Sequence, residues 1–85
     1  FARALLETAG GADTVLKRAD QALAASQPQL ALELASVVLR AEPSRREAHT
    51  TSAKALQGLA EASSNTIERN LYRAAAWAHR RSAER

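Results

Sequence analysis

Gly10, Gly11, Pro28, Pro43 and Gly58 are the only glycines and prolines in this 85-residue chain, and they separate long runs dominated by alanine and leucine. Alanine and leucine favour the helix most, whereas glycine and proline favour it least. Local propensity therefore predicts helix nearly everywhere, with breaks at these punctuating positions. The chain is expected to be all-α, one helical domain over residues 1–85 made of about five helices. It contains no cysteine, which excludes disulfides, thiolate metal sites and cysteine nucleophiles. No run approaches the roughly 20 apolar residues that a membrane-crossing helix needs, so no membrane partner is expected.

The spacing of apolar residues assigns a face to each helix. Residues 2–9 read as a helix with Leu5, Leu6 and Ala9 on one side and the Gly10, Gly11 pair as its stop. Asp13 is the expected N-cap of a second helix carrying Leu16, Ala19, Ala22, Leu23 and Ser26 on one face. Pro28 suits the first turn of a third, where its missing N–H costs nothing. There Leu30, Ala31, Leu34, Ala35, Val38 and Ala41 form a stripe that Leu32, Val37 and Leu39 widen, which implies burial on more than one side.

Ser44 and Glu47 have the capping-box spacing for a fourth helix, whose Ala48, Ser52, Ala55, Leu56 and Leu59 share a face and whose end is expected near Gly58. The fifth starts either within Ser63 to Asn65 or near Thr66, Asn65 and Glu68 being a second capping-box pair. It carries a stripe of Ile67, Leu71, Ala74, Ala75 and Ala78 and ends near Ser82, with Arg80 and Arg81 complementing its C-terminal partial charge. Short connections make successive helices antiparallel neighbours, so helices two and three, then four and five, are expected to form hairpins. Ala19, Ala31 and Pro43 also fall where a tetratricopeptide unit wants small residues and a closing proline. Thirty-four residues on, Ala53 repeats Ala19, but Asn65 and Arg69 then break the pattern, leaving a degenerate tetratricopeptide-like repeat at best.

Catalytic signatures are missing. His49 and His79 lie on different helices, each without a sequence neighbour at metal-ligand spacing, and both are expected at the surface. There is no glycine-rich phosphate loop and no serine elbow. Asp13, Asp20, Glu33 and Glu42 are accounted for by capping, solvated faces or nearby arginines. An autonomous enzyme is not expected, and no cofactor is expected on this chain. The net charge of +3 comes from arginines spread along the sequence and ending in Arg80, Arg81 and Arg85. Without a recognisable reading helix, that distribution argues against nucleic acid as a partner. The chain opens on Phe1 rather than methionine, which is read as a piece of a longer protein; its compartment is left open.

Tyr72 and Trp77, two of the three aromatics, both lie on the fifth helix. Trp77 falls off the centre of the stripe, near Asn70 and Arg73, so that either the core or an interface with another domain or subunit accommodates it.

The run Gly10-Gly11-Ala12-Asp13, then Pro43 after a leucine-rich helix, then Arg69, Asn70 and Tyr72 before an alanine-rich segment and Arg80, resembles the dimerisation domain of the metallo-β-lactamase-fold alkylsulfatases. The resemblance runs from about Leu5 to Arg80. It departs where the family places Leu and Gly after the tyrosine, here Arg73 to Ala76, and Gly and aromatic residues at the turn here formed by Ser26, Gln27, Pro28 and Leu30.

What the resemblance implies is a tetratricopeptide-like helical segment between a zinc hydrolase domain and a C-terminal domain, in a parent that cleaves sulfate esters of alkyl chains with two zinc ions. None of the zinc ligands is expected here. The implied role is non-catalytic: a scaffold that forms a homodimer and touches adjoining domains of the parent, with Leu32, Val37, Leu39, Tyr72 and Trp77 as the expected interface residues. The alternative is a tetratricopeptide-like module that binds a protein or peptide in a groove between hairpins.

Overall fold

The computed structural model describes residues 1–84, so Arg85 at the basic end lies outside the described residues. It contains helices α1 (Ala2–Thr8), α2 (Ala12–Ala24), α3 (Pro28–Ala41), α4 (Arg46–Ala62) and α5 (Thr66–Ala83), and no strand among the described residues. This is the all-α succession of antiparallel hairpins that the sequence predicts. Helices α2, α3, α4 and α5 each pack against the next, α1 leans on α3, and α2 also reaches α4. Helix α5 is a neighbour of α4 alone.

The breaks have specific causes. At the end of α1, Gly10 N–H donates to the Glu7 carbonyl and Gly11 N–H to that of Leu6, with Gly10 at φ 98°. This double bond pattern satisfies carbonyls that the helix leaves open and needs a left-handed residue. The α2–α3 turn repeats it with Ser26 at φ 60°, whose N–H donates to the Leu23 carbonyl while Gln27 N–H donates to that of Ala22. Pro28 opens α3 as expected.

Four boundaries differ from the sequence reading, the first being the end of α2 at Ala24, which leaves Ser26, expected on the face of that helix, in the turn beyond it. Helix α2 starts at Ala12 with Gly11 as N-cap, which moves Asp13 into the first turn. Helix α4 starts at Arg46 without a side-chain cap, because Glu47 turns to Arg45 Nε at 3.2 Å and does not close a box with Ser44. Gly58 does not end α4, which continues to Ala62. A Cβ built on Gly58 would lie 3.2 Å from Pro28 Cβ, so this glycine lets the α2–α3 turn approach α4 closely.

The interior is lined mainly by small residues. Leu6, Val15, Leu16, Val38 and Ala48 pack where α1 to α4 meet; Ala19, Ala22, Ala31 and Ala55 pack between α2, α3 and α4; Ala53, Leu56 and Ala76 pack between α4 and α5. The largest side chains that are completely enclosed are Val38 and Ser52. Helices faced with alanine approach closely, but each buried methyl group contributes less than about 1 kcal/mol. Ile67, Leu71 and Trp77 are left outside this interior.

Candidate functional site

Helix α5 carries the largest unspent apolar surface. Its start is fixed by Asn65, whose Oδ1 accepts from Glu68 N–H at 2.9 Å, while Ser63 Oγ donates to Glu68 Oε1 at 3.1 Å. That cap fixes where the helix begins. Tyr72, Ala75 and Ala76 then face inward onto Ala53, Leu56 and Leu59 of α4, and His79 follows on the same side.

The opposite face is apolar too. Ile67 is 74% exposed, Leu71 66% and Trp77 59%, with Ala74 and Ala78 exposed between them. Of the stripe expected from the sequence, Ile67, Leu71, Ala74 and Ala78 share a face that points outward, whereas Ala75 turns to the α4 side. Tyr72 and Ala76 fill the α4 groove, because a small residue beside one ring matches the alanine surface of α4 better than a row of branched chains. The Arg81 guanidinium lies 5.2 Å from the Trp77 ring centroid, a cation–π arrangement that holds both side chains on the outer surface.

The five residues expected at an interface fall into two groups. Leu32 is half-buried against the packing of α2 to α5, Val37 and Leu39 are half-buried around Val38 and Leu16, and Tyr72 is half-buried against α4. Trp77 stands on the open face of α5. The structure thus brings Trp77 together with Ile67 and Leu71, and does not bring it together with the α3 residues.

Charged groups serve the joints. Arg45 pairs with Asp13 at the start of α2, with Glu42 at 3.0 Å and with Glu47 at 3.2 Å. The Glu42 hydrogen bond, against desolvation and with help from Asp13, raises its already high pKa, so one permanent cation ties together three helix ends. Thr51 Oγ1 donates to Asp20 Oδ1 at 3.4 Å and Gln29 Nε2 to Glu33 Oε1 at 3.3 Å. Each carboxylate singled out in the sequence is thus in structural use or solvated.

His49 and His79, expected apart at the surface, meet half-buried between α4 and α5 with Nδ1 atoms 2.8 Å apart. A register signal was available: the two stand equally far before and after Ser64, the middle of the α4–α5 turn. No group of three or more His, Asp or Glu that could hold a metal occurs among the described residues. A separate groove of about 510 Å³ runs between α4 and the end of α5, lined by Lys54, Gln57, Glu61, Arg80 and their neighbours. Among the described residues, no helix is long and apolar enough to cross a membrane.

Compared with known families, residues 1–82 match the family described as alkyl sulfatase dimerisation. No curated protein and no solved structure matches the chain.

Proposed function

The chain belongs to the alkyl sulfatase dimerisation family, and from that premise we propose that it is a non-catalytic module pairing two copies of an alkylsulfatase-type hydrolase of metallo-β-lactamase fold. The observation that carries the pairing is the outer face of α5, where Ile67, Leu71 and Trp77 remain exposed on a helix that packs on α4 alone. Removing such surface from water contributes about 25 cal/mol per Å², less the entropy of association. A protein that needs this term places the patch where a second copy presents the same patch.

Two zinc ions would supply the hydrolytic chemistry of the parent by polarising a sulfate ester and activating water. Among the described residues no group of three or more His, Asp or Glu side chains offers such ions a site. The zinc ligands and the alkyl-sulfate site belong to the adjoining domains in this reading.

Sedimentation equilibrium of the 85-residue chain over a wide concentration range tests the pairing. A reversible dimer is expected; a monomer at every concentration overturns the proposal for this chain. The groove beside Lys54 and Arg80, which Glu61 also lines, favours a second reading, a tetratricopeptide-like module holding a peptide segment. That reading predicts a monomer whose Lys54 and Arg80 resonances shift on addition of such peptides.

A further inference from the structure

We propose that two copies of the chain pair through α5 in antiparallel orientation, crossing at Ala74. This inference rests on the dimerisation reading and names the surface and the geometry by which it occurs. Helix α5 spans Thr66–Ala83, so Ala74 lies at its midpoint as well as at the centre of its outer face. With only a methyl group at the crossing, two helix axes approach to about 8 Å, the lower end of helix packing distances.

Around that point the outer face is complementary to its own reverse. When the helices run in opposite directions, Leu71 falls opposite the partner's Ala78, and Trp77 falls across the partner's Asn70 and the partner's Ala74. Ile67 meets the aliphatic stem of the partner's Arg81. Large residues oppose small or flexible ones at each level, and the two-fold axis repeats each pairing. At each end the partner's Glu68 arrives nearest Arg81, whereas Arg80 is turned toward Gln57 of α4. Opposed helix dipoles add to this.

A parallel pairing fails on the same residues. It sets Leu71 against the partner's Leu71 and Trp77 against the partner's Trp77, and it crowds Arg80 and Arg81 beside the partner's Arg80 and the partner's Arg81. Other exposed apolar residues do not offer an equivalent surface: Phe1 is fully exposed but precedes α1, and Leu5 and Leu30 stand on different helices and are less exposed than the three on α5.

The absence of cysteine from the chain permits a direct test by single-cysteine cross-linking. Disulfides need Cα atoms within about 7 Å, so only a residue near the two-fold axis links to itself. Under mild oxidation Ala74→Cys is expected to form a disulfide dimer at least tenfold faster than Lys17→Cys on exposed α2, a control for random collision. Ile67→Cys and Arg81→Cys are expected to link in a mixture of the two and not alone. Self-linking of Ile67→Cys alone, whether or not Ala74→Cys also links, indicates parallel pairing and overturns the inference. Failure of all of them to link while unsubstituted chain sediments as a dimer also overturns it, by placing the contact on another face, and leaves the dimerisation reading standing. A monomeric unsubstituted chain removes that reading and the inference with it. Leu71→Asp, with helicity by circular dichroism unchanged, is expected to weaken association at least tenfold.

Discussion

His49 Nδ1 and His79 Nδ1 lie 2.8 Å apart across the α4–α5 joint, while His49 Nε2 lies 2.7 Å from the Pro43 carbonyl. A carbonyl only accepts, so His49 Nε2 carries the proton. His49 Nδ1 is then the acceptor and His79 Nδ1–H the donor. Burial, reinforced by the neighbouring His49, pushes His79 below its ordinary value of 6.5. Between that value and the lower native one, the unfolded chain binds more protons than the folded chain. The contribution of this histidine to stability is therefore complete above about 6.5, declines as pH falls through that window, and levels off below it. Urea unfolding of the wild type and of His79→Asn across this range should show a smaller pH slope for the variant. An equal slope in both would show that the joint is not titrating through His79.

Ser26 occupies a left-handed position that Gly10 fills at the equivalent point of α1. A side chain in that conformation costs roughly 1 kcal/mol, and glycine avoids the cost. Ser26→Gly is expected to stabilise the chain by about 0.5–1 kcal/mol. Gly10→Ala should destabilise by about 1–2 kcal/mol, because the new Cβ meets both the strained φ and the Thr14 side chain at 3.2 Å. Denaturation midpoints moving in the same direction for both would refute the shared turn geometry.

Gly58 inside α4 should behave unlike an ordinary helix glycine. Glycine to alanine in an open helix interior gains about 1 kcal/mol. Here the added methyl stands 3.2 Å from Pro28 Cβ, so Gly58→Ala is expected to lose that gain and destabilise by about 1 kcal/mol. Combining it with Pro28→Gly removes the opposing carbon. The double-mutant cycle should then show a favourable coupling of about 1 kcal/mol, whereas additivity would mean that the turn and α4 do not press on one another.

Much of this architecture was legible because it depends on local signals. Pro28 at the start of α3 and Asn65 as the N-cap of α5 are chemical statements about backbone groups within four residues, and both hold in the fold, although the Glu68 side chain bonds Ser63 and does not return to Asn65 N–H. Ser44 with Glu47 has the same local spacing, yet Arg45 diverts Glu47, and Arg45 is itself held in place partly by Asp13, a contact that lies outside any short window. Gly58 misled for a related reason, since a glycine that ends a helix and one that admits a neighbouring turn look alike in sequence. The candidate site was harder still. Helix α5 is apolar on two faces, and spacing alone cannot say whether Tyr72 and Ala76 or Ile67 and Leu71 turn toward α4. That choice depends on the alanine-lined surface supplied by α4, to which the last helix must fit.

The two groups of apolar residues should therefore separate in a single set of substitutions. Leu32, Leu39 and Tyr72 pack against the chain's own interior, and truncation of half-buried leucines there costs about 2 kcal/mol or more. Leu32→Asp and Leu39→Asp are expected to lower the thermal midpoint strongly and to weaken association only by unfolding the chain. Ile67→Asp and Leu71→Asp place a carboxylate on a surface that is 74% and 66% exposed in the single copy. They should change monomer stability by less than about 0.5 kcal/mol while abolishing the dimer. Stability by urea titration at low concentration and association by sedimentation distinguish the two effects. Loss of association from Leu39→Asp at unchanged stability would move the interface to α3, and loss of stability from Leu71→Asp would show that α5 packs with its other face inward.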